Sequence, residues 1–250
     1  MRHVIVEGTL HGCSFVRLYL LDGEHVADLI DHVNHGYDYI FAYSLVDLGE
    51  VEGFSREKKL SQFISLDGAE DVVFGRLHKT NRKKIRRTYR DHEVDIVIDD
   101  PAGQESYEFY CRVKKAEGVR PDFAADFSSV RWINAYHREE LISSTSWYHN
   151  DHVLRGKHYV SIRKQSGIDT ALVGRLTRRL FWEACVLGIR GGLRYVDLGG
   201  LDPHDPSKQG IYEFKRSFGG DTQDIYIYRR YTKSWERVKE EVTAQGMAVL

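Results

Sequence analysis

Three groups of residues have the types and spacing to do chemistry. Arg175, Arg178 and Arg179 crowd the start of a helix expected over 175–188, just after Gly174. The first N–H groups of a helix have no partner within it, so guanidinium groups beside them make a seat for phosphate. The competing reading is an ordinary solvated face, which most charge runs turn out to be. Lys215 lies on a short helix between two glycine pairs, Gly199-Gly200 and Gly219-Gly220. It is either a surface lysine on an amphipathic helix or a compact cation placed for a ligand. Asp197 ends an expected buried strand just before Gly199-Gly200, where backbone and ligand can come close. Burial there would raise its pKa and suit it to act as a base, unless it only orders the loop by hydrogen bonds. His149, beside Tyr148 at a strand end, and His204, in a proline-flanked loop, are further base candidates.

The third group is the run HKTNRKKIRRTYR, with seven Lys or Arg in thirteen residues. Phe74, Leu77, Asn81 and Ile85 mark it as one face of a helix whose other faces are basic. Like charges three and four residues apart destabilise a helix, so the density is unfavourable without a polyanion. Lys79, Arg82, Lys83, Arg86 and Arg90, with Tyr212 from the distant short helix, are the expected polyanion or acceptor contacts.

Composition sets the limits. Thirty-six basic and thirty-seven acidic side chains nearly cancel, so any anion site must be local. Cys13, Cys111 and Cys185 form no CxxC pair and are expected reduced and mostly buried. Of twelve histidines, His32 and His35 could pair on a helix, but no carboxylate–histidine set with ligand spacing surrounds them. No metal is expected. With neither a signal peptide nor a long apolar stretch, the chain is expected to be cytoplasmic and without a transmembrane segment.

The elements that must position these residues follow from periodicity. Residues 1–70 form a β-rich extension, with strands near Val4–Val6, Phe15–Leu20, Tyr39–Val46 and Leu60–Leu66 and a short helix over Val26–Asn34. It is expected to extend the sheet of the remainder, 71–250, or to wall an acceptor pocket. After the basic helix come a strand over Glu93–Ile98 and a turn through Asp99, Asp100, Pro101 and Gly103. Helices over Gln104–Glu117 and Phe127–Arg138 follow, then strands over Leu141–His149 and Lys157–Arg163. Leu176, Leu180, Ala184 and Leu187 give the next helix its apolar stripe, and Gly191-Gly192 stops it. A strand over Leu193–Leu198, a helix over Ile211–Ser217 and an alternating strand over Asp224–Tyr231 complete a mixed-sheet α/β pattern.

Three pieces in order, GRLTRRLFWEA, YVDLGG and GIYEFKRSFGG, resemble the C-terminal motif of Fem-like acyltransferases, a branch of the GNAT superfamily. The resemblance implies a GNAT-like core in which neighbouring strands splay and an acyl donor wedges between them. It implies that Lys215, in the matching Phe-Lys pair, contacts the reacting carbonyl or a substrate phosphate. A lysine there suits a developing oxyanion. The loop Ile168–Arg175 departs from the glycine-rich CoA loop of GNAT enzymes. Acyl-CoA is expected first as donor and aminoacyl-tRNA close behind. The acceptor is expected to be an amine on a sugar, a cell-wall intermediate, a lipid-linked molecule or a natural product. With no Ser-His-Asp or Cys-His set legible, the amine attacks directly. The rival from another class is a non-catalytic GNAT-like module that binds nucleotide or RNA through the basic helix.

Overall fold

The structure, a computed structural model, describes residues 3–99, 104–164, 167 and 169–244. Ten strands form one mixed sheet in the order β1-β2-β3-β10-β4-β9-β8-β7-β6-β5. They are β1 (Val4–Leu10), β2 (Cys13–Leu21), β3 (Tyr39–Ser44), β4 (Ser55–Ser65), β5 (Val94–Ile98), β6 (Arg131–His137), β7 (Glu140–His149), β8 (Val153–Ser161), β9 (Tyr195–Leu201) and β10 (Asp221–Tyr231). The helices are α1 (Val26–Asn34), α2 (Glu70–Arg76), α3 (Lys79–Thr88), α4 (Gln104–Ala116), α5 (Thr170–Arg190), α6 (Gln209–Arg216) and α7 (Lys233–Ala244). Strands β1 to β4, from the first 70 residues, belong to this same sheet, and β4 lies between β10 and β9.

Among the described residues, only β2–β3 and β8–β9 pair in parallel. The second pairing is brief: Val153, Leu154 and Arg155 meet Tyr195, Val196 and Asp197, and then the strands part. Tyr159 spans the gap, its hydroxyl donating to the Leu198 carbonyl at 3.0 Å. The main core packs α2, α3, α4 and α5 on this half of the sheet, with Leu176, Leu180 and Ala184 fully buried. The sheet also curls. Tyr19 of β2 stacks on Tyr148 of β7 at 4.4 Å, although six places separate the two strands in the sheet order. Gly220 opens β10 at φ +80°, where a Cβ would lie 1.9 Å from the Phe63 carbonyl oxygen, so only glycine fits.

Three expectations need correction. The helix expected over Phe127–Arg138 is instead a short 3₁₀ turn, Ala124–Phe127, followed by strand β6. Trp132, Ile133, Asn134 and Ala135 are all buried, so this strand is covered on both faces and shows no alternation to betray it. The basic helix does not run unbroken from Asp71. Leu77 is extended at φ −63° and ψ 146°, and His78 caps a new helix by accepting from Thr80 N at 3.3 Å. Helix α5 starts at Thr170, not Arg175. In the turn expected over 99–103, Asp100, Pro101 and Gly103 lie outside the described residues, as does Ile168 of the expected donor loop.

Candidate active-site cleft

Where β8 and β9 part, α3, α5 and α6 enclose a cleft of about 1400 Å³. Helix α3 supplies Lys79, Lys83 and Arg87, four residues apart and therefore on one stripe, with Lys84 beside them. Arg175 and Arg178 come from α5, Arg163 from the turn after β8, and Lys215 from α6. Eight cations thus face a single lining carboxylate, Glu213. Among the described residues, Arg175 alone of the eight has a carboxylate within ion-pair range, Asp169 at 3.8 Å. The field is felt within the cleft. Lys84 has a lowered pKa, first from the charge of Arg178 and then from burial and from Arg163 and Arg175. Arg178 is lowered by burial and by Arg163.

One buried side chain ties the three helices. Asn81 accepts from Arg178 Nε at 2.9 Å and donates to the Ser217 carbonyl and hydroxyl, each at 2.9 Å. Phe214 and Phe218 of the α6 region pack on Phe181 of α5, with ring centroids 5.1 and 5.0 Å apart. Arg178 lies over Phe214 at 5.0 Å. These contacts leave Lys215 as the buried residue of α6, 7 % exposed. Its ammonium donates to the Gly200 carbonyl at 2.8 Å. Burial lowers its pKa to about 8; the Asp197 carboxylate works against that fall and the Arg155 charge adds to it.

A second cavity of about 650 Å³ is lined by Gly200, and Ile211 lines both. Its charges are matched in pairs: Lys58 with Asp224 at 2.8 Å, Lys59 with Glu57 at 3.1 Å and Lys208 with Asp202 at 3.2 Å. Lys215 therefore stands at a junction, lining the large cleft while bonded to Gly200, a residue that lines the small one. Such a junction can bring an anionic donor and an uncharged or amine-bearing acceptor to one cation.

The sequence matches no protein-family model and no curated protein. Solved structures do match. A structure of FemX superposes with a TM-score of 0.61 at 9% identity, covering 95% of this chain and 86% of that one. The C-terminal domain of a putative lysylphosphatidylglycerol synthetase from Agrobacterium fabrum gives 0.57 at 11% identity, with 96% and 84% covered. L-PGS from Bacillus licheniformis gives 0.56 at 11%, with 97% and 85% covered. The chain has a GNAT/Fem-like fold. At these identities the likeness concerns the fold, and what the cleft does must be argued from its own residues.

Within the GNAT/Fem-like fold the residues singled out from the sequence fall into two sets. Gly174, Arg175, Arg178, Lys79, Lys83 and Lys215 meet in the large cleft. The others lie elsewhere. Arg179 points to the back of α5, pairs with Glu183 and stacks on the Tyr89 ring at 3.1 Å. Arg82 donates to the Gly75 carbonyl at 3.0 Å, and Arg86 covers Phe74 at 5.2 Å, so both serve the α2 side of α3. Tyr212 and His204 line the small cavity. His149 pairs with Leu154 at the opposite end of β7 from the cleft, and burial and Arg131 lower its pKa. That position takes it away from any reaction at Lys215.

Asp197 is fully buried, and its carboxylate is already engaged. It accepts from Tyr43 Oη at 2.6 Å, Ser61 Oγ at 2.5 Å and Gly199 N at 2.8 Å, with Arg155 Nε at 3.5 Å. These donors hold the Gly199-Gly200 bend, in which Gly199 has φ +80° and a Cβ would stand 3.5 Å from Lys215 Nζ. Asp197 therefore sets the carbonyl that Lys215 grips, and the base role expected of it has no lone pair facing the cleft. The phosphate seat at the α5 start also needs correction. Asp169 caps the helix, accepting from Ala171 N at 2.8 Å, and the amides of Leu172 and Ala171 hold its pKa low. The amides near Gly174 and Arg175 that were expected to receive phosphate lie inside α5, and a carboxylate occupies the helix's actual terminus.

Lys84, Arg87, Arg163 and Tyr159 line the cleft without having been singled out. The first two were recoverable. A four-residue stripe through Lys79, Lys83 and Arg87 separates the cleft face from the Arg82 and Arg86 face. Arg163 and Tyr159 reach the cleft only because β8 leaves β9, which no local pattern records.

Proposed function

We propose that this chain is an N-acyltransferase whose donor is an aminoacyl-tRNA and whose acceptor is an amine seated in the smaller cavity. The observation that carries this reading is eight cations against one carboxylate in a cleft whose buried Lys215 donates to Gly200, a residue that lines a second cavity. A field built from Lys and Arg side chains suits a sugar-phosphate backbone, which such side chains position. The capped start of α5 argues against a pyrophosphate seated on helix amides, and hence against CoA. The cleft of about 1400 Å³ also exceeds the usual small-molecule range of about 300–1,000 Å³. One structural neighbour is by name a putative lysylphosphatidylglycerol synthetase, a maker of an aminoacylated lipid.

In the reaction the acceptor nitrogen attacks the ester carbonyl carbon, forming a C–N bond. The C–O bond to the tRNA ribose breaks, and the proton lost by the amine ends on the released ribose hydroxyl. Lys215 as an ammonium donates to the carbonyl oxygen as negative charge develops there. It thus favours the transition state over the ground state. Above its pKa of about 8 it loses that proton and that role.

The test is a titration of the chain with tRNA, aminoacyl-tRNA and CoA across salt concentrations, followed by transfer of a labelled amino acid to simple amines. Binding of tRNA that weakens steeply with salt, as phosphate contacts require, is expected. Saturable CoA binding with no tRNA binding at low salt would return the donor to acyl-CoA. Binding of tRNA with no transfer to any amine would favour an RNA-binding module.

A further inference from the structure

Away from the cleft, at the β1–β2 edge of the sheet, lies a cluster that the proposed reaction does not use. Strand β1 pairs with β2 from Val4 opposite Tyr19, which brings His3 beside the end of β2. There Asp22 and the turn Gly23–His25 lead into α1, whose first turn holds Asp28. One donor atom each from His3, His25 and Asp28 lie within 4.8 Å of one another.

We infer that His3, His25 and Asp28 form a binding site for one divalent transition-metal cation, zinc by donor type, clamping the β1–β2 edge to α1. Two imidazole nitrogens and a carboxylate oxygen suit Zn²⁺, with a fourth tetrahedral position left to water. One pair in the set is already at the spacing that the ion needs. His3 Nδ1 is 3.5 Å from Asp28 Oδ2, and bonds of 2.0–2.1 Å set tetrahedral edges at about 3.3–3.4 Å. His25 has the support that metal-bound imidazoles take, with its Nδ1 2.6 Å from Asp22 Oδ1. An ion bound through His25 Nε2 would hold the proton on Nδ1, toward that carboxylate.

An ion set by the Asp28 spacing lies on His3 Nδ1, and the ring's other nitrogen, Nε2, is buried with no hydrogen-bond partner among the described residues and takes no part in the ligand set. The two imidazole rings meet edge to face at 4.8 Å. His32, one turn further along α1, turns its Nδ1 to the Asp28 carbonyl at 2.6 Å and stands outside the set. The sequence concealed the site because His3 is far from His25 along the chain and meets it only through strand pairing.

The test uses the full chain stripped of metal by chelator and titrated with Zn²⁺ in calorimetric competition, with thermal unfolding alongside. One Zn²⁺ per chain and a raised melting temperature are expected. His3→Gln and His25→Gln should each weaken binding by about 100-fold or more, and Asp22→Asn by about 10–100-fold. His35→Gln, on the exposed end of α1, should leave affinity unchanged. Co²⁺ added to the unaltered chain should give the intense visible bands of a tetrahedral site, a readout independent of how any variant folds. Absence of saturable Zn²⁺ binding, a weak octahedral Co²⁺ spectrum, or full affinity in both histidine variants would each overturn the site.

Discussion

The cleft between α3, α5 and α6 and the buried network beneath the curled sheet are both rich in charge, and they treat it in opposite ways. In the network each cation meets a carboxylate: Arg17 with Asp126, Lys157 2.7 Å from Asp122, and Arg155 with Asp197, while His158, whose pKa burial lowers, also lies 2.7 Å from Asp122. Aromatic faces fill the remaining space, with Arg155 3.9 Å above the Tyr43 ring. Two of its buried atoms, Asp126 Oδ2 and Arg155 Nε, have no hydrogen-bond partner among the described residues, but each fixed cation has a carboxylate within ion-pair range. In the cleft, like charges gather and depress one another, as the lowered Lys84 shows. An array of that kind costs stability unless a polyanion completes it. Charge alone therefore does not separate the two regions; whether it is matched does.

Breaking the network should cost the fold. Asp126→Ala leaves the buried Arg17 guanidinium, whose residue is 4 % exposed, without its carboxylate. A loss of about 3–5 kcal/mol is expected in denaturant unfolding, as for halving a buried pair. Stability near that of the unaltered chain would mean the pair contributes little.

At the junction the expected effect is on rate. Lys215→Met should lower kcat by about 10²–10³ with donor affinity retained, and Lys215→Arg should restore only part. With an acceptor amine that titrates at lower pH, the rate should fall as pH rises through about 8, the value at which Lys215 loses its proton. A rate that rises there would make Lys215 the base instead. Stability carries its own signature. The folded chain holds fewer protons on this lysine than the unfolded chain, where its pKa is about 10.4. Stability should therefore increase as pH climbs from about 8 toward 10.4, and Lys215→Met should flatten that rise.

Within the cleft, Lys84→Ala should weaken tRNA binding by about 1–3 kcal/mol and reduce the salt slope by about one. A gel-shift series at several salt concentrations reads both. The smallest effect is expected behind α5. Arg179→Ala should leave the donor Kd within about twofold, because its partners Glu183 and Tyr89 face away from the cleft, while unfolding moves to slightly lower denaturant. A loss of donor affinity equal to that of Lys84→Ala would extend the cleft around the helix.

The sequence by itself determined those elements whose signals are local. The stripe Leu176, Leu180, Ala184 makes α5 amphipathic wherever it packs, and the alternation of Ile225 and Ile227 with Tyr226 and Tyr228 sets the two faces of β10. The motif order from Gly174 to Gly220 was enough to indicate the GNAT/Fem-like fold, and Lys215 stood out by its place between two glycine pairs. Tertiary structure decided the rest, because those properties depend on residues far apart in the chain. Strand β6 passes for a helix until both of its faces are covered, since burial on two sides erases the period of two. The role of Asp197 turns on Tyr43, Ser61 and Arg155, which arrive from three other strands. Which arginines face the cleft was fixed by the start of α5 at Thr170 and by α2 packing beside α3. A helix must rotate as a rigid body, so the buried stripe dictates where every charge on its other faces points.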